Sequence, residues 1–161
     1  TVRHNPKHLM LTQGTQSEYL EGLGNATEGV MIYSAWHQKA PFQGTLAGKK
    51  MNNSDFVAKY KAMKGKLPDE DVAITFALCQ GIDQAVSATG SVDNAKIMSW
   101  LHSRSSGYPV KTILGDYYWD ETGLPINKQA LIVQWQGREL KFIYPTNEFQ
   151  ASQMVSPKPA W

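Results

Sequence analysis

Residues 8–36 read HLMLTQGTQSEYLEGLGNATEGVMIYSAW, and this stretch decides the fold. Residues 8–12 are mostly apolar and are followed at once by a Gln-Gly pair, which predicts a short buried strand. Residues 17–23 predict a short helix that stops at a Gly-Asn pair. Residues 29–36 predict a second strand. A strand, a helix and a strand in succession make a βαβ unit, in which the two strands run parallel.

The composition limits the classes of function. The chain has 161 residues, with 16 Lys and Arg against 14 Asp and Glu, so its net charge is +2. A balance this close to neutral argues against a nucleic-acid partner, which needs a concentrated basic face. The single cysteine, Cys79, permits neither an intrachain disulfide nor a metal site built from cysteines. The chain begins at Thr1 without an initiator Met or a leader, from which we expect a mature, processed or cut product.

The middle of the chain predicts a loop followed by helices. Residues 37–51 contain three helix breakers and no hydrophobic periodicity, which predicts a loop. Three helices are expected after it. Ser54 caps the first, the acidic residues 69–71 open the second where the helix dipole favours them, and Asp93 starts the third. Cys79 falls on the apolar stripe of the second helix, so we expect this thiol to be inert core.

A β pattern returns in residues 110–118 and 130–144. The second of these segments is interrupted by Gly137-Arg138 between two apolar runs, which predicts a hairpin. Three helices with apolar faces need a sheet to cover, yet the chain offers few strands. We therefore expect the chain to be part of a larger α/β protein.

Five sequence motifs lie in an order and at a spacing that are typical of one family. In chain order they are NATEGV at 25–30, F-x-x-x-Y-x-x-x-x-G-x-x-P at 56–68, ATGS at 88–91, G-x-x-x-W-D-E-x-G at 115–123, and QWQG at 134–137 with Tyr144-Pro145 after it. Together they resemble the C-terminal part of the periplasmic solute-binding proteins of the branched-chain amino acid transport type, the type I periplasmic binding proteins. The resemblance extends over nearly the whole chain.

The resemblance implies a fold and a domain organisation. The expected fold is α/β, with two Rossmann-like lobes joined by three crossing segments, of which this chain is an incomplete C-terminal portion. Residues 1–35 are expected in the second lobe, and residues 36–127 return to the first lobe with the helices and the start of the hairpin. Residues 128–161 are expected to form the final crossing and the hairpin of the second lobe.

The resemblance also implies a function. The chain is expected to be part of the substrate-binding component of an ABC importer in the periplasm. Its partners would be a membrane permease and a small solute, either an amino acid or a related small polar or organic acid. Hinge closure of the two lobes around the solute is the expected mechanism. No enzymatic activity and no cofactor are implied.

Two other functions stay open. One is the ligand-sensing domain of a regulator or receptor built on the same lobes. The other, from a different class, is a small α/β hydrolase or transferase that uses His37 with an Asp or Ser partner. An enzyme needs a nucleophile or base with an orienting partner, and the sequence shows no such pair. The histidines also fit no metal-ligand spacing, so we predict neither catalytic residues nor a metal site.

The first candidate site is the loop after the first strand. Ligands of open α/β sheets bind beyond the carboxyl ends of parallel strands. The loop that follows the first predicted strand consists of Thr12, Gln13, Gly14 and Thr15. It offers a glycine for close backbone approach and polar side chains around it, although an ordinary strand-to-helix turn explains the same residues. The resemblance favours a loop that contacts the solute.

Three further residues are candidates. Trp36 and His37 follow the second strand, where Trp36 could form a wall of the binding cleft or pack in the hinge. His37 also fits a surface or hinge position. Asp71 lies in the first turn of a predicted helix, where an acidic residue needs no function beyond its interaction with the dipole. It stays a candidate because the family directs this helix at the cleft.

Gln13 marks a departure from the family. Several amino-acid binders of the family have a Glu-Gly pair at this loop, and the carboxylate holds the ammonium group of the ligand. A neutral amide cannot make that charge-assisted hydrogen bond. The departure therefore argues against strong selection for a free α-amino group, and it leaves a carboxylate, an amide or another small polar solute open.

Overall fold

The computed structural model describes residues 4–126, 128, 130–147 and 150–161. The helices are α1 Ser17–Leu23, α2 Asn53–Lys64, α3 Glu70–Thr89 and α4 Asn94–His102, with a 3-10 turn at Gly24–Thr27. The strands are β1 Met10–Leu11, β2 Met31–Ser34, β3 Gln43–Leu46, β4 Lys49–Asn52, β5 Val110–Thr112, β6 Gly115–Tyr117, β7 Leu131–Gln136 and β8 Glu139–Tyr144.

The chain divides into two compact units. The first, which we call the sheet unit, comprises Thr1–Lys39 and Ala130–Trp161. The second, the helical unit, comprises Ala40–Gln129. The assignment of these segments to the lobes of a larger protein stays a prediction, and the expected boundary at residue 127 lies outside the described residues.

The sheet unit contains the predicted βαβ unit. Its four strands are ordered β1-β2-β7-β8, and β1 runs parallel to β2, with Met10 opposite Met31. The predicted helix lies between them as α1, so this prediction is confirmed. β7 lies antiparallel to both β2 and β8. The β7–β8 connection is the predicted hairpin, with Gly137 and Arg138 both at positive φ, the backbone that two-residue hairpin turns require.

One face of this sheet forms the core of the unit. The fully buried apolar side chains there are Val30, Ile32, Leu131, Val133, Trp135 and Phe142. Along β7 the residues at 131, 133 and 135 share this face because the side-chain period of a strand is two. The alternate residue Gln134 is also buried, on the opposite side, under the C-terminal segment of the chain.

The helical unit is built from two short hairpins and three helices. β3 pairs antiparallel with β4, and β5 with β6. α3 packs on β3 and β5 with its small side chains, of which Ala73 and Ala77 are buried. Gln84 of α3 extends this packing, because its side-chain amide accepts from Lys111 N at 3.1 Å and donates to Lys111 O at 2.8 Å.

Three local predictions in the helical unit were wrong. The expected loop at residues 37–51 contains β3 and most of β4, which meet at a turn where Ala47 and Gly48 both have positive φ. The cap of α2 is Asn52, which accepts from Asp55 N at 2.8 Å, and not Ser54. Cys79 is exposed, because α3 turns its alanines rather than its large apolar residues towards the hairpins.

The predicted starts of α3 and α4 and the predicted end of α3 are confirmed. Asp69 caps α3 by accepting from Val72 N at 3.0 Å, and Asp93 caps α4 by accepting from Lys96 N at 3.0 Å. α3 ends at Gly90, in the left-handed conformation that glycine adopts without strain. Among the described residues the largest sheet has four strands, which agrees with the expectation that the chain is part of a larger α/β protein.

Candidate functional site

The parallel pairing of β1 and β2 brings their carboxyl ends to one edge of the sheet. Leu11, the last residue of β1, lies opposite Ile32, and β2 continues to Ser34. The residues that follow are the two predicted segments, 12–15 and 36–37. This edge is where an open α/β sheet presents its ligand-binding loops.

The backbone of the 12–15 loop is fixed at Gly14. The indole Nε1 of Trp135 donates to Gly14 O at 2.9 Å, and Gly14 has a φ of 128°, which favours glycine. A Cβ atom at this position would lie 3.0 Å from Ile32 Cδ1 and 3.3 Å from the ring of Tyr19. The loop shape therefore depends on the glycine and on a tryptophan that the sequence analysis did not select.

The side chains of this loop face different surroundings. Thr12 and Gln13 are exposed, whereas Thr15 is buried. The exposed amide of Gln13 can both donate and accept hydrogen bonds. A contact between this loop and a solute stays a prediction.

Trp36 is buried at the end of β2. Its side chain is 6% exposed, and the Ser34 hydroxyl donates to Trp36 O at 2.7 Å and accepts from Trp36 N at 3.2 Å. This compact turn holds the residue rigidly. Such burial is typical of a packing residue, so the hinge-packing alternative gains support, while a contact between Trp36 and a solute stays a prediction.

His37 is buried next to Trp36 with both ring nitrogens engaged. Nδ1 accepts from Lys39 N at 3.2 Å, so in the neutral ring Nε2 carries the proton and faces Leu140 O at 3.4 Å. The ring lies 5.7 Å from that of Phe142. Burial lowers the pKa of His37 to about 4, opposed by the hydrogen bond to Leu140, and the nearby charges of Lys39 and Lys141 lower it further.

This pKa predicts an acid-sensitive stability. The unfolded chain takes up a proton at His37 near pH 6.5, whereas the folded protein does so only near pH 4. Stability from His37 is therefore complete above pH 6.5 and is lost as the pH falls towards 4, by about 2 kcal/mol between pH 7 and pH 5. Urea unfolding at both pH values checks this. The decrease in the free energy of unfolding between pH 7 and pH 5 should be smaller in His37→Gln and unchanged in the control His102→Gln. An equal decrease in both variants would contradict this prediction.

Asp71 belongs to the helical unit and the other candidates to the sheet unit. Asp71 is exposed in the first turn of α3, and the Thr75 hydroxyl donates to its backbone oxygen at 2.9 Å. Asp69, two residues earlier, is the residue that caps the helix. The position of Asp71 suits an interaction with the helix dipole, and a contact with a solute stays a prediction.

Lys128 is a charged residue that the sequence analysis missed. Its Nζ donates to Leu114 O at 3.1 Å and lies 4.7 Å from the centre of the Tyr117 ring. Burial lowers the pKa of this amine to about 8, partly offset by Glu70. No motif surrounds this lysine in the sequence, so only the packing of the helical unit identifies it.

The described residues give little support to other kinds of site. Within residues 4–126, 128, 130–147 and 150–161, no group of three or more His, Cys, Asp or Glu side chains is placed to hold a metal ion. Among the described residues, His37 contacts backbone atoms and Phe142 rather than the Asp or Ser that a catalytic role would need. In the same part of the chain, no helix combines the length and apolar character needed to span a membrane.

Known proteins with the same arrangement identify the fold. No family model matches the chain. Solved structures do match it, among them the leucine binding protein LivK of Thermotoga maritima, with a TM-score of 0.60 and 24% identity over 80% of this chain and 33% of that one. LivJ of Streptococcus pneumoniae, solved in complex with isoleucine, matches with a TM-score of 0.61 and 13% identity over 88% of this chain and 35% of that one. The fold is that of the type I periplasmic binding proteins.

A relative found by sequence similarity is also named as a binding protein. The chain is 25% identical over 142 residues to the Leu/Ile/Val-binding protein homolog 1 of Brucella suis, which covers 84% of this chain and 36% of the relative. The resemblance seen in the sequence is therefore confirmed, and the chain spans about a third of the length of the proteins it matches. These relatives are named as binding proteins and not as enzymes, in agreement with the prediction from the sequence.

Proposed function

We propose that this chain forms part of the solute-binding component of an ABC importer, in the periplasm. The observation that carries the proposal is the similarity over most of the chain to proteins named for branched-chain amino acid binding and transport. Residues 1–35 and 128–161 would belong to one lobe and residues 36–127 to the other. A solute that contacts both lobes would stabilise the closed form, which a membrane permease then recognises.

The loop at residues 12–15 is the proposed contact with the solute. Its backbone is held by Trp135 and its Gln13 side chain is exposed. The neutral amide suits a small organic acid or an amide as well as an amino acid. One structural relative, a solute binding protein from R. palustris, is solved in complex with benzoate, which has no amino group.

The function is tested in a chimera that supplies both lobes. The N-terminal two thirds of the Brucella suis relative are joined to this chain, and leucine, isoleucine, valine, their N-acetyl derivatives and benzoate are titrated by calorimetry. We expect saturable one-to-one binding of at least one of these solutes. Native mass spectrometry of the purified chimera would show any solute that it retains. A chimera that melts cooperatively and binds none of the panel contradicts the proposal.

Gln13→Glu is expected to change the preference among these solutes. A carboxylate in the loop would gain a charge-assisted hydrogen bond with an ammonium group, worth about 1.5–3 kcal/mol, and would repel anionic solutes. Calorimetric titration should therefore show tighter binding of leucine relative to N-acetylleucine and weaker binding of benzoate.

The control is Gln153→Glu, the same chemical change at an exposed residue of the C-terminal segment. It should leave the ranking of the solutes as in the unaltered chimera. If the unaltered protein already requires the free amino group and Gln13→Glu leaves the ranking unchanged, another residue holds that group. Asp71 or a carboxylate of the other two thirds of the protein would then be the first residue to examine.

A further inference from the structure

The end of α2 forms an exposed, basic part of the helical unit. Residues 61–67 read KAMKGKL, and all seven are exposed. The chain is anchored on both sides of them, because the Phe56 ring lies 4.7 Å from that of Phe76 in α3 and Pro68 is buried just before α3 begins. We call this surface the α2 tip and define it by Lys59, Lys61, Met63, Lys64, Lys66 and Leu67.

Positive charge is concentrated in this part of the chain. Residues 56–68 contain four lysines and neither Asp nor Glu. The remaining 148 residues contain 12 Lys and Arg against 14 Asp and Glu, so they carry a small negative excess. The helix dipole favours Lys61 and Lys64 in the last turn of α2. Lys59 and Lys66 lie outside that turn, so the dipole does not account for the whole cluster.

Two large apolar side chains lie among these lysines. Met63 is 74% exposed and Leu67 is 52% exposed. Carboxylates or a nucleic-acid backbone would use the positive charge alone and leave both apolar groups in water. Lysines interleaved with apolar residues are typical of a surface that binds an anionic bilayer, where the cations contact the head groups and the apolar groups enter the boundary of the acyl chains.

We propose that the α2 tip binds the surface of a membrane that contains anionic lipids. The lysine ammonium groups would contact the phosphates of the head groups, and Met63 and Leu67 would enter the layer beneath. This rests on the proposed function, because the binding protein of an importer works at the membrane that holds the permease. Contact with lipid involves no solute, so it can be measured whether or not solute binding succeeds.

Sedimentation with lipid vesicles tests the proposal in the chimera with the Brucella suis relative, which supplies both lobes. Vesicles of phosphatidylcholine are compared with vesicles that also contain phosphatidylglycerol, at low and at high salt. We expect the chimera to bind the vesicles with phosphatidylglycerol and not those of phosphatidylcholine alone. Binding should weaken at high salt, because salt screens the attraction between exposed charges.

The double substitution Lys61→Gln and Lys64→Gln should weaken this binding about thirtyfold, since each lysine near an anionic surface contributes about fivefold in affinity. The control is Lys49→Gln with Lys50→Gln, which removes the same charge from exposed residues of β4. β4 lies directly before the start of α2, a helix about 18 Å long, so these lysines are remote from the α2 tip. The control should bind the vesicles almost as well as the unaltered chimera.

Met63→Gln tests the apolar part without changing the charge. We expect it to weaken binding to the anionic vesicles about tenfold, because the inserted side chain loses its gain from leaving water. The control is Val92→Gln, the same kind of change at an apolar residue of the helical unit that is 83% exposed. It should leave vesicle binding unchanged.

The outcomes separate this proposal from the alternatives. Vesicle binding with these effects in a chimera that binds no solute would support the proposal while the proposed function fails. Equal binding to both kinds of vesicle would overturn it, and so would an equal loss in the two lysine pairs, which would show attraction by net charge alone. If vesicles do not bind but immobilised polyglutamate retains the chimera through Lys61 and Lys64, the α2 tip fits an acidic protein surface and the proposal is wrong. If the chimera does not melt cooperatively, the same variants are compared in the chain itself.

Discussion

Replacing Gly44 by alanine is expected to lower the free energy of unfolding by more than about 3 kcal/mol. A Cβ atom at this residue of β3 would lie 2.5 Å from Gln80 Nε2, 2.6 Å from Lys111 O and 2.7 Å from Thr112 Cα. Real side chains essentially never approach other atoms so closely. Two of the three atoms belong to the backbone of β5, so a rotation of a side chain cannot relieve the clash.

β5 has little freedom to move away. It pairs with β6, and two glutamines of α3 bind the backbone of Lys111 in β5 and of Ile113, the residue after this strand. Gln80 Oε1 accepts from Ile113 N at 2.9 Å, and Gln84 binds both backbone groups of Lys111. A shift of β5 would break these hydrogen bonds, and the buried N–H of Ile113 would lose its partner at a cost of about 1–3 kcal/mol.

Gly81→Ala is the matched control, since it adds the same methyl group within the same unit. At this residue of α3 the new carbon meets only Val110 Cγ1, at 3.7 Å, an ordinary contact. Alanine is the better helix former, so stability should rise by about 0.5–1 kcal/mol. Urea unfolding at pH 7, followed by tryptophan fluorescence, compares the two. A Gly44→Ala variant within about 1 kcal/mol of the unaltered protein would show that β3 and β5 do not approach each other as described.

Gly44 also shows what the sequence could not reveal. The residues of β4 include two lysines and an asparagine, and the turn before it uses Ala47 at a φ of 50°, so no usual strand or turn pattern marked this hairpin. The position of this hairpin is set by the contacts of Gly44 with Gln80 and Lys111. These residues lie 36 and 67 positions further along the chain. The βαβ unit and the β7–β8 hairpin were predicted correctly because their patterns lie within a few consecutive residues.

Which face of α3 is buried could not be predicted from the sequence either. Hydrophobic periodicity predicted a buried stripe through Cys79, but the helix buries Ala73, Ala77 and Gln80. Small side chains are selected here because the helix lies close to β3 and β5. Periodicity counts apolar residues and does not measure the distance to the neighbouring element, so the sequence could not show which of the two apolar faces is covered within this chain.

The sequence was enough to predict where the loops of the candidate site lie, but not which residues surround them. Parallel strands place the loops at residues 12–15 and 36–37 at one edge of the sheet, which the order of the elements alone implies. The burial of His37 depends on Leu140 and Phe142, more than a hundred residues away. The shape of the 12–15 loop likewise depends on Trp135. These contacts follow from the packing of β7 and β8, which no local pattern specifies.

Gln134→Leu is expected to lower the free energy of unfolding by about 3 kcal/mol. The Gln134 side chain is 1% exposed and lies on the face of β7 away from the apolar core. Its Nε2 donates to Gly29 O at 2.9 Å and to Val155 O at 3.0 Å, while its Oε1 accepts from Val155 N at 2.8 Å. One side chain thus joins the segment just before β2 to the C-terminal segment, in the way that a neighbouring strand would.

Leucine has nearly the same size, so the substitution removes hydrogen bonds without leaving a large cavity. Gly29 is buried, and its carbonyl loses this partner at a cost of about 1–3 kcal/mol. Val155 is only partly buried and can bind water instead, so each of its two lost bonds should cost about 1 kcal/mol. The effect should therefore be larger than that of an ordinary surface change, which stays within about 0.5 kcal/mol.

Gln136→Leu is the control, two residues along the same face of β7. Its Nε2 donates to Gln134 Oε1 at 2.7 Å and to Gln153 O at 2.9 Å, at a less buried position. We expect it to cost about 1 kcal/mol or less. Urea unfolding gives the stabilities, and limited proteolysis with mass spectrometry reports the C-terminal segment. Residues 150–161 should be cleaved faster in Gln134→Leu than in Gln136→Leu. Equal stability and equal cleavage of the two variants would mean that the C-terminal segment is held by its other contacts, such as Lys158 N to Lys7 O at 2.8 Å.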